Sequence, residues 1–322
     1  MPGGKVLTMA RPTPPDDYSF IRYLAAKKAL DDRSLNRHVW EKLVRAVLEV
    51  RGPAPLRVLE VGCGIGTMLE RLLDWGLLLH AAYSGIDVMP EYLEEARTRL
   101  RSYAAKKGAG LIAAESWLIF QSQSHRVLLE LEAIDLFQFL AREEGKGSWD
   151  LLIAHAFLDL VDLPSTLPRL LSLLREGGLF YFTLNFDGAT ILKPDIDPDL
   201  DRQIITLYHR TMDERYVQGR PSGDSCTGRH LFGALKAAGA QVLAAGSSDW
   251  VVFPGRGGYL GEEAYLPHFI IHTMRRALEG HPQLDPDRLA KWVEARHDQI
   301  DAGQLVFIAH QLDFLGMVGQ PE

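Results

Sequence analysis

The stretch Glu60-Val61-Gly62-Cys63-Gly64-Ile65-Gly66-Thr67 decides the fold of this 322-residue chain. It continues a short, branched apolar run at 56–62 that is typical of a buried parallel strand, and a helix is predicted next, at about 66–75. Glycines at such a junction let the chain turn sharply and let a ligand lie against the main chain. The N-terminus of the helix beyond them presents free N–H groups. The stretch therefore predicts a strand, a ligand-binding loop and a helix.

The pattern repeats downstream of this unit. Predicted strands fall at 56–62, 80–88, 149–157 and 179–185, a hairpin or pair of strands at 117–121 and 126–133, and helices at 66–75, 90–107, 135–143 and 164–175. Strand and helix thus alternate about five times, which predicts an α/β fold built on a doubly wound sheet.

The flanking regions contribute further elements. Residues 1–17 are rich in proline and glycine and are expected to form a disordered tail. Helices are predicted at about 18–30, 35–50, 198–215, 227–239, 262–279 and 286–300, and strands at 241–253 and 305–317.

Composition excludes several classes of protein. The chain has 35 Lys and Arg against 42 Asp and Glu, a formal net charge of -7, which argues against a protein that mainly neutralises nucleic-acid phosphates. Two cysteines, Cys63 and Cys226, exclude a disulfide scaffold and fit a reducing compartment. No apolar run approaches the roughly 20 residues of a membrane span, and the N-terminus lacks the features of a secretory signal. We expect a cytoplasmic protein.

Two acids distinguish the glycine loop from a dinucleotide fingerprint. The third glycine comes one residue earlier than in G-x-G-x-x-G, and Glu60 stands two residues before Gly62. A negative charge there is a poor neighbour for a pyrophosphate and suits a positively charged ligand. Asp87, 21 residues beyond Gly66, ends the second strand, where a carboxylate can accept both hydroxyls of a ribose.

These motifs resemble those of the class I S-adenosylmethionine-dependent methyltransferases. The resemblance rests on E-V-G-C-G-I-G-T at 60–67, G-I-D at 85–87, W-D-L-L-I-A-H at 149–155 and L-L-R-E-G-G at 173–178, and covers residues 56–185. Two flanking stretches, KKALDDRSLNRHVW and YHRTMDERYVQGRPSGDSCTGR, look like those of a bacterial branch of that superfamily. The resemblance implies a Rossmann-like, seven-stranded, doubly wound sheet. It also implies methyl transfer from S-adenosylmethionine, which becomes S-adenosylhomocysteine.

The resemblance also assigns cofactor-binding roles. The residues implied to hold the methionine part are those of the loop, Glu60, Gly62, Cys63, Gly64 and Gly66. Asp87 would bind the ribose, and Val88 or Met89 would lie against the adenine. Glu132 or Ala133 occupies the place of the acid-plus-small pair that meets the adenine amino group. The usual acid there is aspartate, and Asp135 is nearby.

The catalytic and acceptor-binding candidates lie elsewhere. His155 ends the fourth strand of the core, where the cofactor and acceptor pockets are expected to meet. It is predicted to contact the cofactor and to act as the general base, and the alternative is a buried histidine satisfied by a backbone carbonyl. Asp159, Tyr208, His209 and His230 are less well placed candidates for the role of base. The residues expected to bind the acceptor are Tyr23, His209, Arg210 and Arg229, unless they form an ordinary solvated face. Arg33 or Arg37 is expected to pair with the methionine carboxylate, and no metal site is expected.

The chain order predicts how these parts are arranged. Residues 18–55 are expected to form a helical lid over a domain at 56–322, with insertions at 186–227 and 254–302 as pocket walls. The position of the D/N/S-P-P-Y/F/W motif of amino-methylating nucleic-acid enzymes reads Ala154-His155-Ala156-Phe157, which favours a small-molecule acceptor. A monomer or homodimer is expected. Alternatives are a non-catalytic cofactor-binding protein, an aminopropyltransferase, which would need an acidic pair at 155–156, and a nicotinamide oxidoreductase, which Glu60 disfavours.

Overall fold

The computed structural model describes residues 18–50, 52–114, 117–217 and 219–319, so the predicted tail at 1–17 lies outside the described residues. In chain order the helices and strands are α1 (Phe20–Ala26), α2 (Lys28–Ser34), α3 (Arg37–Val50), β1 (Leu56–Val61), α4 (Thr67–Asp74), β2 (His80–Asp87), α5 (Pro90–Lys107), β3 (Gly110–Ala114), β4 (Trp117–Gln121), β5 (Arg126–Ala133), α6 (Leu136–Glu143), β6 (Trp149–His155), α7 (Leu163–Leu171), β7 (Leu174–Lys193), α8 (Pro198–Asp213), β8 (Tyr216–Val217), β9 (Arg220–Pro221), α9 (Thr227–Ala237), β10 (Ala240–Ser247), β11 (Trp250–Val252), α10 (Tyr265–Leu278), α11 (Pro286–Asp301) and β12 (Val306–Val318).

One large mixed sheet organises the molecule. Within the described residues its ten strands follow the order β10-β12-β7-β6-β1-β2-β5-β4-β3, and β11 pairs with β12. Strands β7, β6, β1, β2 and β5 are parallel, whereas β12 runs antiparallel to its neighbours. The α/β fold is confirmed, and the sheet has three strands more than the seven that the resemblance implies. The predicted pair at 117–121 and 126–133 is the antiparallel pair β4 and β5. Strand β3, which was not predicted, pairs with β4 at the edge of the sheet, and β11 pairs with part of β12.

Helices cover both faces of this sheet. Successive side chains of the central strands point to opposite faces, and both sets are mainly apolar and buried. In β1, Val58 packs into one apolar cluster while Leu59 packs into the other, and neither side chain is exposed. In β6, Leu151 and Leu152 divide in the same way. A strand buried on both faces needs apolar side chains at every position, which explains the continuous apolar runs in the sequence.

Three predicted elements differ from the structure. The single helix expected at 18–30 is two helices, α1 and α2, which meet at Lys27. The strand expected at 241–253 is divided into β10 and β11. Strand β7 is 20 residues long and runs well beyond the predicted end at 185. The positive φ of 54° at Leu184 lies in a stretch where the register between β7 and β12 shifts, so the long strand bends there.

Helices from distant parts of the chain pack together around the sheet. Helix α1 contacts α10, and α10 contacts both α8 and α11, while α2 contacts β11. The N-terminal helices therefore lie against the inserted helices. Among the described residues, no helix is long and apolar enough to cross a membrane.

Candidate functional site

A cavity of about 1220 Å³ lies at the carboxyl ends of the central parallel strands. Ligands of open α/β sheets bind at this edge. Pockets for a single small ligand commonly enclose about 300–1,000 Å³. The cavity is larger than that range, so it has room for a cofactor and a second small molecule side by side.

The glycine loop forms one wall of this cavity. Gly62, Gly64 and Gly66 all have positive φ angles, of 67°, 51° and 77°, which glycine adopts without the strain of a side chain. A Cβ at Gly62 would overlap the ring of Phe157, and one at Gly66 would lie 3.3 Å from Cβ of Ala96 on α5. Gly62, Cys63 and Gly64 line the cavity, whereas Gly66 turns the chain into α4 and lets α5 pack closely.

Asp87 connects the end of β2 to the glycine loop. Its Oδ2 atom accepts a hydrogen bond of 2.9 Å from the backbone N–H of Gly64, and Oδ1 accepts one of 3.0 Å from that of Met89. Burial raises the pKa of Asp87 although these backbone donors oppose the shift. Each oxygen keeps a lone pair for a further donor. Asp87, Val88 and Met89 all line the cavity, so these residues are placed for the predicted ribose and adenine roles.

Glu60 supplies an unusual carboxyl group to the cavity. Its side chain is 1% exposed, and the hydroxyl of Tyr83 donates a hydrogen bond of 2.5 Å to Oε2. Burial raises the pKa of Glu60 to about 8. Within the described part of the chain Glu60 forms no ion pair, so burial favours its neutral form, and its ionised form would need a cationic partner from a ligand. The ammonium group of S-adenosylmethionine fits this requirement, and together with Asp87 and the glycine loop the residues present fit that cofactor.

His155 belongs to a buried network that the sequence did not predict. Its Nε2 atom lies 3.1 Å from Nη1 of Arg71 and 3.2 Å from Oδ2 of Asp31, and Nδ1 lies 2.8 Å from Oγ1 of Thr183. Burial, with the positive charges of Arg71 and Lys27, lowers the pKa of His155 to about 4 despite the bond to Asp31. Nε2 thus lies within hydrogen-bond distance of both Arg71 and Asp31, and Nδ1 within that distance of Thr183.

This network favours the buried-histidine alternative for His155 over the predicted general base, which stays a prediction. Although His155 lines the cavity, both of its ring nitrogens have protein partners, so it is not free to take a proton from an acceptor. The buried-histidine alternative is the better one, with side-chain partners in place of a backbone carbonyl.

The other members of the network are Lys27, Asp31 and Arg71. The ammonium of Lys27 lies 2.6 Å from Oδ2 of Asp31, and Nη2 of Arg71 lies 3.2 Å from the same atom. Burial alone would raise the pKa of Asp31, but Lys27, His155 and Arg71 hold it well below its usual range. Nε1 of Trp250 donates a 2.9 Å bond to Oδ1 of Asp31. The only sequence signal was the i, i+4 spacing of Lys27 and Asp31, which is equally common on solvated helices.

Four residues predicted to bind the cofactor do not line the cavity: Gly66, Glu132, Ala133 and Arg33. Glu132 forms a bidentate ion pair with Arg142, with distances of 2.6 and 2.7 Å, and neither Glu132 nor Ala133 lines the cavity. Their neighbours do so instead, from Ile134 to Phe137. Strand β5 ends at Ala133, and the chain reaches the cavity only after that strand has ended, which explains this correction. Arg33 pairs with Glu263 and donates to the carbonyl of Val251, away from the predicted methionine carboxylate.

The predicted acceptor-binding residues also differ in whether they line the cavity. Tyr23 lines the cavity, but the other three do not. The side chain of His209 lies behind Thr190, with its Nε2 atom 3.0 Å from Oγ1 of that residue. Arg229 pairs with Asp187 at 2.9 Å, and Arg210 is exposed on α8. Charged and aromatic residue types alone did not show which face of each helix the cavity would meet.

The part of the cavity beyond His155 is mostly apolar. Its walls come from the N-terminal helices, the carboxyl-terminal half of β7, and elements of the two predicted insertions. The apolar lining residues are Leu24, Leu160, Phe186, Met212, Trp250, Phe269, Ile270, Met274, Phe307 and Ala309. We call this part of the cavity, together with Tyr23, Asp159 and Tyr208, the acceptor chamber.

Comparison with known proteins gives the family of the chain. Residues 33–245 match the family model described as a methyltransferase domain. A comparison with curated proteins found no match.

Solved structures of low sequence identity also align with the chain. Geranyl diphosphate methyltransferase in complex with SAM is 14% identical, with a TM-score of 0.43 and coverage of 94% of this chain and 92% of that one. A protein from Galdieria sulphuraria that is assigned as a sarcosine dimethylglycine methyltransferase is 13% identical, with a TM-score of 0.40 and coverage of 92% of this chain and 86% of that one. The [4+2]-cyclase SpnF is 17% identical, with a TM-score of 0.38 and coverage of 86% and 81%.

These TM-scores are below 0.5, so the assignment rests on the family model, which spans most of the chain. The matched range contains the glycine loop, Asp87 and His155. The chain belongs to the methyltransferase domain family and is an S-adenosylmethionine-dependent methyltransferase.

Proposed function

We propose that this enzyme transfers the methyl group of S-adenosylmethionine to a small-molecule acceptor by in-line displacement. The observation that carries the proposal is the meeting of two different environments in one cavity. The glycine loop, Glu60 and Asp87 form a polar end, and the acceptor chamber forms an apolar end beside it. The net charge of -7 supports a small acceptor over a nucleic acid. We extend the proposal to a protein that acts in the cytoplasm as a monomer or homodimer.

The residues at the polar end would bind and orient the cofactor. Glu60 would pair with the ammonium group, and Asp87 would accept the ribose hydroxyls while it keeps its bonds to Gly64 and Met89. Val88 and Met89 would contact the adenine ring. When bound, S-adenosylmethionine supplies a methyl group already activated on a sulfonium sulfur, so the protein mainly holds the acceptor in line and excludes water.

The N-terminal helices would close the cavity as a lid. Phe20, Tyr23, Leu24 and Lys27 line it, and the buried bonds of Asp31 join α2 to α4 and β6. The segments at 186–227 and 254–302 contribute to the walls through residues such as Tyr208 and Phe269.

Calorimetry with three ligands tests this proposal. S-adenosylmethionine and S-adenosylhomocysteine are expected to bind, and NAD is expected not to, because Glu60 opposes a pyrophosphate at the loop. Binding of NAD alone would overturn the proposal. A variant with Asp199→Asn, a side chain 91% exposed on α8, serves as the control with unchanged affinities.

A further inference from the structure

Three side chains of the acceptor chamber keep polar atoms that have no hydrogen-bond partner among the described residues. Tyr23 and Tyr208 are each 9% exposed and line the cavity, and neither hydroxyl forms a hydrogen bond there. Asp159 also lines the cavity, and its Oδ1 atom is buried without a hydrogen-bond partner. A buried polar atom without a partner is unfavourable. The Oδ1 atom of Asp159, with two tyrosine hydroxyls on the same cavity, therefore indicates a place where a ligand donates a hydrogen bond.

These groups come from three separate elements and line the same cavity. Tyr23 lies on α1, Asp159 follows β6, and Tyr208 lies on α8. The negative charge of Asp159 contributes to the raised pKa values of both Tyr23 and Tyr208, although burial is the larger cause. The chamber lining also contains the polar residues Thr190, Thr211, Thr273 and Gln311, but Asp159 is its carboxylate beside the two tyrosines.

The charges around Asp159 decide which kind of ligand suits this spot. Burial raises the pKa of Asp159 to about 6, while its own backbone N–H, Arg215 and Lys27 oppose the shift and Asp224 adds to it. The guanidinium of Arg215 donates to the carbonyl oxygens of Ser222 and Asp159, which holds its positive charge at the chamber wall. The charge of Lys27 is already paired with Asp31, so Arg215 is the cation at the chamber wall that opposes an acceptor arriving as an ammonium ion. Arg215 would stabilise the negative charge that develops on an oxygen nucleophile.

We propose, on the basis of the proposed function, that the acceptor is a neutral, largely apolar alcohol or phenol whose hydroxyl group binds to Asp159, Tyr23 and Tyr208. The hydroxyl donates to the Asp159 carboxylate and accepts from the two tyrosines. The apolar body of the acceptor lies against the chamber walls, among them Phe269, Met274 and Phe307.

This arrangement makes Asp159 the general base of the reaction. The acceptor oxygen forms a bond to the methyl carbon, and the bond between that carbon and sulfur breaks with its electron pair left on sulfur. The hydroxyl proton passes to the Asp159 carboxylate and from there to water. The products are a methyl ether, S-adenosylhomocysteine and a proton, so atoms and charge balance.

Binding of three matched probes tests the proposal without knowledge of the natural acceptor. Naphthalene, 2-naphthol and 2-naphthylmethylamine share one apolar body and differ in bearing no polar group, a neutral hydroxyl or an ammonium. Their affinities are measured by fluorescence at pH 7.5 with saturating S-adenosylhomocysteine. In the wild-type enzyme 2-naphthol is expected to bind about tenfold tighter than naphthalene, from roughly one charge-assisted hydrogen bond. The amine is expected to bind no tighter than naphthalene.

Substitutions then identify the side chains that give 2-naphthol its tighter binding. Asp159→Asn and Tyr208→Phe are each expected to reduce the advantage of 2-naphthol to less than about threefold. The matched controls, Asp199→Asn and Tyr216→Phe, alter exposed side chains and are expected to keep it. Tyr208→Phe removes only one oxygen, so it provides a test even where Asp159→Asn does not fold.

The outcomes separate this proposal from the proposed function. Equal binding of naphthalene and 2-naphthol, tighter binding of the amine, or a full hydroxyl advantage in both variants would overturn the alcohol or phenol proposal. Loss of S-adenosylhomocysteine binding in the wild-type enzyme would instead count against the proposed function. The probe comparison can still be made in that case with the free enzyme.

Discussion

The Oδ2 atom of Asp31 lies 3.2 Å from Nη2 of Arg71, and neither side chain is exposed to solvent. The two residues are 40 positions apart in the chain, so the contact joins α2 to the helix that follows the glycine loop. Lys27 and His155 contact the same carboxylate oxygen. The N-terminal helices are thus attached to the cofactor-binding core through charge as well as through apolar packing.

Replacement of Asp31 is therefore expected to destabilise the whole enzyme. Asp31→Asn leaves the buried charges of Lys27 and Arg71 without their shared partner, and loss of one partner from a buried ion pair typically costs about 3–5 kcal/mol. The free energy of unfolding in urea measures the effect. The control is Glu262→Gln, which removes a surface ion pair to Arg22 with side chains 63% and 50% exposed and should cost less than about 1 kcal/mol. Equal effects of the two changes would show that the buried network does not stabilise the fold.

A substitution at Gly62 is a second test, which separates the cost of a positive φ angle from the cost of crowding by Phe157. Gly62→Ala places a Cβ at a φ of 67°, which costs about 1–2 kcal/mol, and pushes it into the ring of Phe157, which should cost about 1–3 kcal/mol more. Gly76→Ala is the matched control, because its φ of 72° is similar but nothing lies within 4 Å of the new atom. A double-mutant cycle with Phe157→Ala measures the crowding part from urea unfolding. Equal costs for Gly62→Ala and Gly76→Ala would contradict this explanation.

The sequence predicted the fold well because its signals are local. The glycine loop, the apolar runs of β1 and β6, and the proline start and glycine stop of α5 each lie within about 20 residues. The bounds of α5 match the predicted 90–107. The number of strands was underestimated because β3 is a five-residue edge strand with no alternation to reveal it.

The candidate site was only partly predictable, for a physical reason. Glu60 and Asp87 were found because their spacing from the glycines is fixed by one strand–loop–helix unit. Asp31 and Arg71 act through contacts between distant segments, and on their own helices they resemble solvated charges. Glu132 lies outside the cavity lining, because the chain reaches the cavity only two to five residues further on, at Ile134 to Phe137.

Substitutions of Asp87 and Glu132 test which of the two carboxylates contributes to cofactor affinity. Asp87→Ala should weaken binding of S-adenosylhomocysteine by about 1.5–3 kcal/mol, because it removes charge-assisted hydrogen bonds to the ribose and loosens Gly64. Glu132→Gln should leave the affinity unchanged, since its bidentate partner is Arg142 and it lies outside the cavity lining. Calorimetry measures both affinities. A larger loss in Glu132→Gln than in Asp87→Ala would restore the sequence assignment of the adenine site.

The raised pKa of Glu60 makes both stability and cofactor binding depend on pH. The pKa rises from 4.5 to about 8 through burial, with Tyr83 and Arg71 opposing the shift and Asp87 adding to it. Between those two values the native state keeps a proton that the unfolded chain has lost. The contribution of Glu60 to stability therefore falls as the pH rises from about 4.5 to about 8 and is constant above that window.

Binding of the cofactor should show the opposite trend. Its ammonium group pairs with the ionised form of Glu60, so the affinity for S-adenosylhomocysteine should rise as the pH approaches 8, by up to about tenfold per unit. Binding below pH 8 should release a proton, which calorimetry in buffers of different ionisation enthalpy detects. Glu60→Gln should bind more weakly and lose the proton release that is due to this residue. Glu130→Gln, a change outside the cavity lining, is the control that should behave as the wild type. The same proton release in wild type and Glu60→Gln would mean that the cofactor does not pair with Glu60.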